Sequence, residues 1–220
     1  MTKKAALELF HKESIASTAG RLFLKYGIEK TTMDDIAKEA EYSKATLYAY
    51  FKNKDEIFHY VVLKAMKLLH EKLEKVLTDE NDPIAGYYAM CNILAEYSDQ
   101  YPLYFESMLE TIASDAASRK DSAVLEEIYR IGETLNGDIA TLIQRGIEQE
   151  VFHNDLPDIL TGLVHWSALS GIISLTNKKQ DYISGQLNTG RQDFLQFGFR
   201  MMLRSILRPD PAAAEPGAGL

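Results

Sequence analysis

The sequence predicts an all-α protein in which a small N-terminal module of three helices precedes a larger helical domain. Three observations carry that expectation. Apolar residues recur at three- and four-residue spacing through most of the 220-residue chain, as they do in helices with one buried face. No segment alternates apolar and polar residues as a half-buried strand does. Cap and breaker residues (Gly27, Thr32, Ser43, Asn53, Pro83) fall where those patterns start or stop.

The first helix is expected over about Lys4–Tyr26. Ile15, Ala19, Leu22, Phe23 and Tyr26 form its apolar stripe, and Gly27 ends it. The second begins after Thr32, with Asp35 three residues on as the other half of a capping box. Met33, Ile36, Ala37 and Ala40 give it one buried face. Glu41 and Tyr42 break the pattern, and Ser43 caps a third helix on which Leu47 and Phe51 face inward. Asn53 and Glu56 pair at the start of a long fourth helix, Lys54 to about Leu77, with an unbroken apolar face from Ile57 to Val76. Pro83 suits a helix start. Further helices are expected over Ile84–Gln100, Pro102–Ala116, Ser122–Gln149, Pro157–Thr176 and Gly190–Leu207. Residues 1–53 thus make a helix-turn-helix module and 54–208 the larger domain. The Pro/Ala/Gly-rich tail, 209–220, is expected to be disordered.

The outer face of the third helix suggests a chemistry. Ala45, Thr46, Ala49 and Tyr50 lie opposite Leu47, with Lys44 and Tyr48 on the flanks. Small side chains allow close approach to a DNA major groove, and hydroxyls and amines reach base edges or phosphates. Lys44 and Lys54 each open a helix, where a cation opposes the helix dipole by roughly 0.3–1 kcal/mol. A bound phosphate reverses that sign.

The stretch TTMDDIAKEAEYSKATLYAYFKNKDEIF resembles the DNA-binding region of the tetracycline-repressor (TetR) family of bacterial regulators. The matching features are TT-x-x-x-IA, S-K-x-T-L-Y-x-Y-F and K-N-K-[DE]-E-[IL]-F, within roughly Ser14–Val62. Two departures stand out. Glu41 and Tyr42 fill the turn, where the family usually has a small residue and then an aliphatic. Ala45 stands where glycine is common. The resemblance implies a ligand-responsive regulator, most often a repressor, that binds a near-palindromic double-stranded DNA operator as a homodimer. Carried onto matching positions, Thr32, Ser43, Lys44, Ala45, Thr46, Tyr48, Ala49, Tyr50 and Lys54 are the DNA-binding candidates.

Charge fits this division. The net charge is −8, yet residues 1–58 carry +1 and the remainder −9. DNA affinity would therefore come from a local patch and depend on salt. A hydrophobic fraction of 46% supplies a core, and the single cysteine, Cys91, rules out an internal disulfide. No apolar run approaches the ~18–20 residues of a membrane span, and no signal-peptide core opens the chain. The expected setting is cytoplasmic, with no membrane partner.

The resemblance also implies an effector pocket in the larger domain. The candidates are its soft and aromatic residues: Met66, Tyr87, Tyr88, Cys91, Tyr104, Phe105, Met108, Tyr129, His165 and Trp166. They suit a mostly apolar or aromatic small molecule. The last two long helices carry apolar residues on more than one side, which needs two partners. Leu160, Val164, Ser167, Ala168, Gly171, Ile172, Phe194, Phe197 and Met201 are the expected dimer interface, a two-fold four-helix arrangement. The histidines are scattered without ligand spacing, so no metal or other cofactor is expected. No phosphate loop or nucleophile motif appears, so no enzymatic activity is expected. The alternative reading is a small-molecule binding or sequestering protein whose helix-turn-helix no longer engages DNA.

Overall fold

A computed structural model of the chain describes residues 2–109, 119–120 and 122–209. Ten helices run through the described residues. They are α1 (Lys3–Tyr26), α2 (Met33–Glu39), α3 (Lys44–Tyr50), α4 (Lys54–Asp79), α5 (Pro83–Gln100), α6 (Pro102–Leu109), α7 (Ala123–Glu148), α8 (Asp158–Lys178), α9 (Gln180–Gln186) and α10 (Arg191–Arg204). An isolated antiparallel bridge joins Phe152 and Leu207. The all-α expectation holds.

Local chemistry sets the helix ends. Gly27, at φ 83°, closes α1 with its N–H on the Phe23 carbonyl, a left-handed conformation that suits glycine. Thr32 and Asp35 form the full capping box of α2. The Ser43 hydroxyl accepts the Thr46 N–H at the head of α3. Asn53 Oδ1 accepts the Glu56 N–H at 2.8 Å, while the Glu56 carboxylate takes the N–H of Lys52. Asp82 caps α5 at Ile84, with Pro83 in the first position.

By compactness the chain divides into two units, and the division falls inside α4. The first comprises the described residues through Leu68 with those of Leu103–Gly132. Its core gathers Ile15, Ala19 and Phe23 of α1, Ile36 and Ala37 of α2, Leu47 and Phe51 at α3, and Ile57 of α4. Phe58, Tyr60 and Val61 pack against that cluster. One long helix and two seven-residue ones bury too little alone, so the first half of α4 closes this core. The boundary expected after Asn53 would cut through it.

The second unit holds Leu69–Pro102 and the described residues from Glu133 onward. Here α8 packs on α5 and α10. Polar ties reinforce those contacts. Arg191 donates to Asn177 Oδ1 and pairs with Asp99, and Asn177 donates to Ser98.

Two expectations reach outside the described residues, and two further points differ from the sequence reading. The helix expected over Pro102–Ala116 is described only to Leu109. The tail beyond Pro209 lies outside the described residues. The short helix α9 was not foreseen, because only Ile183 in it is buried and one apolar position makes no periodicity. Finally, α8 is long and apolar enough to cross a membrane by length and composition, against the expectation that no apolar run approaches that length. Its buried side faces α5 and α10.

Replacing Phe51, which is 2% exposed, tests this core. Phe51→Ala should cost about 3–5 kcal/mol. A thermal melt unchanged by the substitution would contradict the inward seat of this ring.

Candidate nucleic-acid interface

Leu47 and Phe51 are buried, and this fixes which side of α3 is left outside. Lys44, Ala45, Tyr48 and Ala49 are all exposed. They lie at i, i+1, i+4 and i+5, so they share one face. Tyr48 stands 46% exposed, and the two alanines beside it leave the helix backbone open to close approach.

The other candidates are more committed to the fold. Thr32 donates its hydroxyl to Asp35 Oδ2 at 2.6 Å and accepts the Asp35 N–H. That hydroxyl, with the Thr32 backbone N–H, holds the Asp35 carboxyl below the usual range. Ser43 caps α3, and its hydroxyl meets that of the half-buried Thr46 at 2.7 Å. Tyr50 is also half-buried. Its ring packs on the core cluster and lies 5.4 Å from the His11 ring. The expectation that Tyr50 stands free on the groove face therefore needs correction, because the ring helps seat α3 on α1.

Both lysines have partners. Lys44 reaches Asp34 of α2 at 2.7 Å, and that hydrogen bond raises its pKa. Both side chains are well exposed, so solvent screens the pair and it contributes little to stability, and a phosphate can compete for the ammonium. Lys54 Nζ donates to the Ile28 carbonyl at 2.7 Å and to that of Glu29. It ties the α1–α2 connection to the head of α4.

The turn explains the two unusual residues. Glu41 adopts φ 59°, a left-handed conformation that costs a non-glycine residue about 1–2 kcal/mol. Tyr42 hydrogen-bonds His11 Nδ1 at 2.6 Å, meets that ring edge-on and packs against the core. His11 was not singled out from the sequence. A signal existed, since it lies four residues ahead of Ile15 on the α1 stripe. The Asp34–Lys44 pair had none, being ten residues apart across a turn.

The proposed pocket residues are divided between the two units. Met66, Tyr104, Phe105, Met108 and Tyr129 belong to the first unit; Tyr87, Tyr88, Cys91, His165 and Trp166 belong to the second. Tyr87 and Cys91 have no exposed surface. The Tyr87 hydroxyl donates to the Phe199 carbonyl, and burial pushes that phenol up. Burial pushes the Cys91 thiol up to about 12, so it is an inert core group. His165 is buried with its ring nitrogens at 3.0 Å from the Thr161 carbonyl and 3.1 Å from that of Met202. Tyr87, Cys91 and His165 are thus packed within the core of the second unit. Tyr104 and Phe105 are also buried; Tyr129 is exposed beneath Arg119, 3.8 Å from the ring centroid. Tyr88, Met108 and Trp166 keep partial exposure.

The expected dimer residues are largely uncovered. Leu160 and Val164 are each 62% exposed, Phe197 55% and Met201 56%. Ser167 and Gly171 are exposed; Ala168 and Phe194 are half-buried. Ile172 differs, because it packs inward over Gly198, where a Cβ would come within 2.9 Å of its Cγ2.

A capped helix pair with a buried inner side and a small, lysine- and tyrosine-bearing outer side defines a helix-turn-helix DNA-binding transcriptional regulator. Residues 15–61 match the family described as bacterial regulatory proteins, tetR family. A relative from Bacillus subtilis, the HTH-type transcriptional regulator YhgD, is 32% identical over 142 residues, which span 64% of this chain and 72% of that protein. The chain belongs to the tetR family. Among solved structures, the TetR family regulator PfmR of Thermus thermophilus is 26% identical with a TM-score of 0.64, covering 86% of this chain and 97% of that one. FadR of the same organism, a TetR family repressor in complex with lauroyl-CoA, has a TM-score of 0.60 at 19% identity, covering 94% and 100%.

The turn supplies a test. Glu41→Gly relieves the left-handed strain, less the extra entropy glycine loses on folding, a net gain of up to ~1 kcal/mol. The melting temperature should rise. A fall would show that the Glu41 side chain stabilises the turn.

Proposed function

We propose that this regulator is a homodimeric, ligand-responsive repressor acting in the cytoplasm on a near-palindromic operator. The observation that carries the reading is the outer face of α3. Lys44, Ala45, Tyr48 and Ala49 are open, while Leu47 and Phe51 anchor the helix from behind. In this reading Tyr48 and the alanines meet base edges. Lys44 leaves Asp34 for a phosphate, and the hydroxyls of Thr32, Ser43, Thr46 and Tyr50 meet the backbone at the rim. Lys54 acts first by holding the loop at Ile28, and its charge adds to the local field.

Two copies would pair through the open faces of α8 and α10. A two-fold dimer presents two copies of α3 to successive major grooves, roughly 34 Å apart. The effector is a mostly apolar or aromatic small molecule, and the lauroyl chain of the lauroyl-CoA bound to the Thermus FadR is apolar in that sense. Of the candidates, Tyr88 and Trp166 in the second unit, and Met108 and Tyr129 in the first, have surface to offer it. An effector releases DNA only by binding the released conformation more tightly. The second reading, a binding protein that has lost DNA, is favoured by one feature: an acidic residue, Glu41, in a strained turn beside the recognition helix.

Lys44→Ala and Tyr48→Ala decide between them. In fluorescence anisotropy with DNA from upstream of the gene, Tyr48→Ala should lose about 1–3 kcal/mol of binding and relax base preference. Lys44→Ala should weaken all sequences alike and lower the salt slope by about one. Thermal stability should hold for both. Unchanged binding across a salt titration would overturn the groove assignment. No sequence-dependent binding by the parent at low salt would favour the second reading.

A further inference from the structure

We infer that Glu13 of α1 is a positioning residue for DNA recognition, holding α3 in its groove-facing orientation through Tyr60 and Phe51. This rests on the reading of the outer face of α3 given above and names what fixes that face in place.

All of the residues concerned belong to the first unit. The contact between α1 and α4 has an apolar part and a polar part. In the apolar part, Phe23 meets Phe58 edge-on with ring centroids 5.9 Å apart. Gly20 lies against α4, where an added Cβ would come within 3.6 Å of Val61 Cγ1. The polar part lies nearer the start of α1. There the Tyr60 hydroxyl donates to Glu13 Oε1 at 2.9 Å, and Lys64 pairs with Oε2 of the same carboxylate. Tyr60 and Lys64 are one helical turn apart on α4 and share a face. Burial pushes the Tyr60 phenol up, so it stays protonated and remains a donor.

The two parts do different things. Apolar contact is non-directional, so on its own it leaves α4 free to slide or roll against α1. A hydrogen bond holds only within a narrow range of length and angle. A carboxylate that takes donors from two successive turns therefore fixes the register of α4 and its rotation about its own axis. Tyr60 carries this to α3. Its phenol is anchored on α1, and its ring stands edge-on to Phe51, with centroids 5.6 Å apart and planes at 66°. Phe51 is 2% exposed and is the C-terminal cap of α3. A helix of seven residues takes its orientation from what lies behind it. Were the Tyr60 ring free to shift, the end of α3 would follow, and Tyr48 would lose its aim at a base edge. Lys44 is less sensitive, because a charge acts on a phosphate over a longer reach.

The test is selection by the full chain from a pool of duplex DNA with a randomised core. Tyr60→Phe keeps the ring and loses the donor. Glu13→Gln keeps an acceptor for Tyr60, and Glu13→Leu removes it. Circular dichroism and a thermal melt verify that each variant folds; should Glu13→Leu fail, Tyr60→Phe against the parent decides alone. Tyr60→Phe and Glu13→Leu should flatten the parental base preference about fivefold or more. Their mean affinity for the pool should hold within about twofold with the salt slope unchanged, since the phosphate contacts are untouched. Glu13→Gln should restore the parental preference. A role in stability alone would lower the melting temperature and leave the preference intact, and that result overturns the proposal. So does a Glu13→Gln protein that reads sequence no better than Glu13→Leu. If Tyr48→Ala flattens the preference in the same pool and Tyr60→Phe does not, the groove reading stands and the positioning role falls. A parent that selects no sequence removes the groove reading, and Glu13 then has nothing to position.

Discussion

The seating of Leu47 and Phe51 is the interaction on which the DNA-facing surface depends. Each buries an apolar side chain worth roughly 1.5–3 kcal/mol relative to exposure, against a cluster drawn from α1, α2 and α4. A seven-residue helix such as α3 has almost no stability of its own. Its orientation is therefore set by what lies behind it. Once those two residues are inside, the helical repeat leaves Lys44, Ala45, Tyr48 and Ala49 outside. His11 adds a lateral brace, since it touches both Tyr42 and Tyr50. The module is thus held on two sides by one helix, α1, and from below by another, α4.

Around that seat, charge is held ready without being locked. The Lys44–Asp34 pair is exposed and contributes little to stability, so its geometry positions the ammonium at small cost. Lys54 is held differently. It donates to two backbone carbonyls and fixes a loop, and removing it would disturb the α1–α2 connection as well as the local potential. Glu41 works in the opposite sense, placing both strain and a negative charge in the turn. The surface is accordingly only weakly basic, in keeping with the +1 carried by residues 1–58.

Much of this was legible in the residues. The capping boxes, the inward pair Leu47 and Phe51, and the exposed stripes of α8 and α10 all follow from spacing, because each depends on contacts a few residues away. What was not legible depended on distant contacts. Tyr50 reads as an outward residue on its own helix, yet His11 of α1 draws it inward. Tyr87, Cys91 and His165 share the composition of a binding cavity, and only the packing of α5, α8 and α10 shows how deeply they are buried. The division inside α4 was hidden for a related reason, since a continuous helix gives no break in pattern where its packing partners change. For α9, one buried isoleucine in seven residues is too faint a pattern to see.

The energetics of the outer face argue for two copies on DNA. Four exposed side chains, two of them alanines, give one module few contacts, and a weakly basic surface adds only modest electrostatic affinity. In the proposed dimer, binding of the first module makes binding of the second intramolecular, and the gain depends on geometry that lets both engage at once. The register of the two α8 helices then matters as much as any contact to a base, because it sets the spacing of two otherwise weak readers. An effector needs only to favour a conformation in which that spacing is wrong. It does not have to touch the recognition helix, and the coupling it achieves is limited by its differential affinity for the two states.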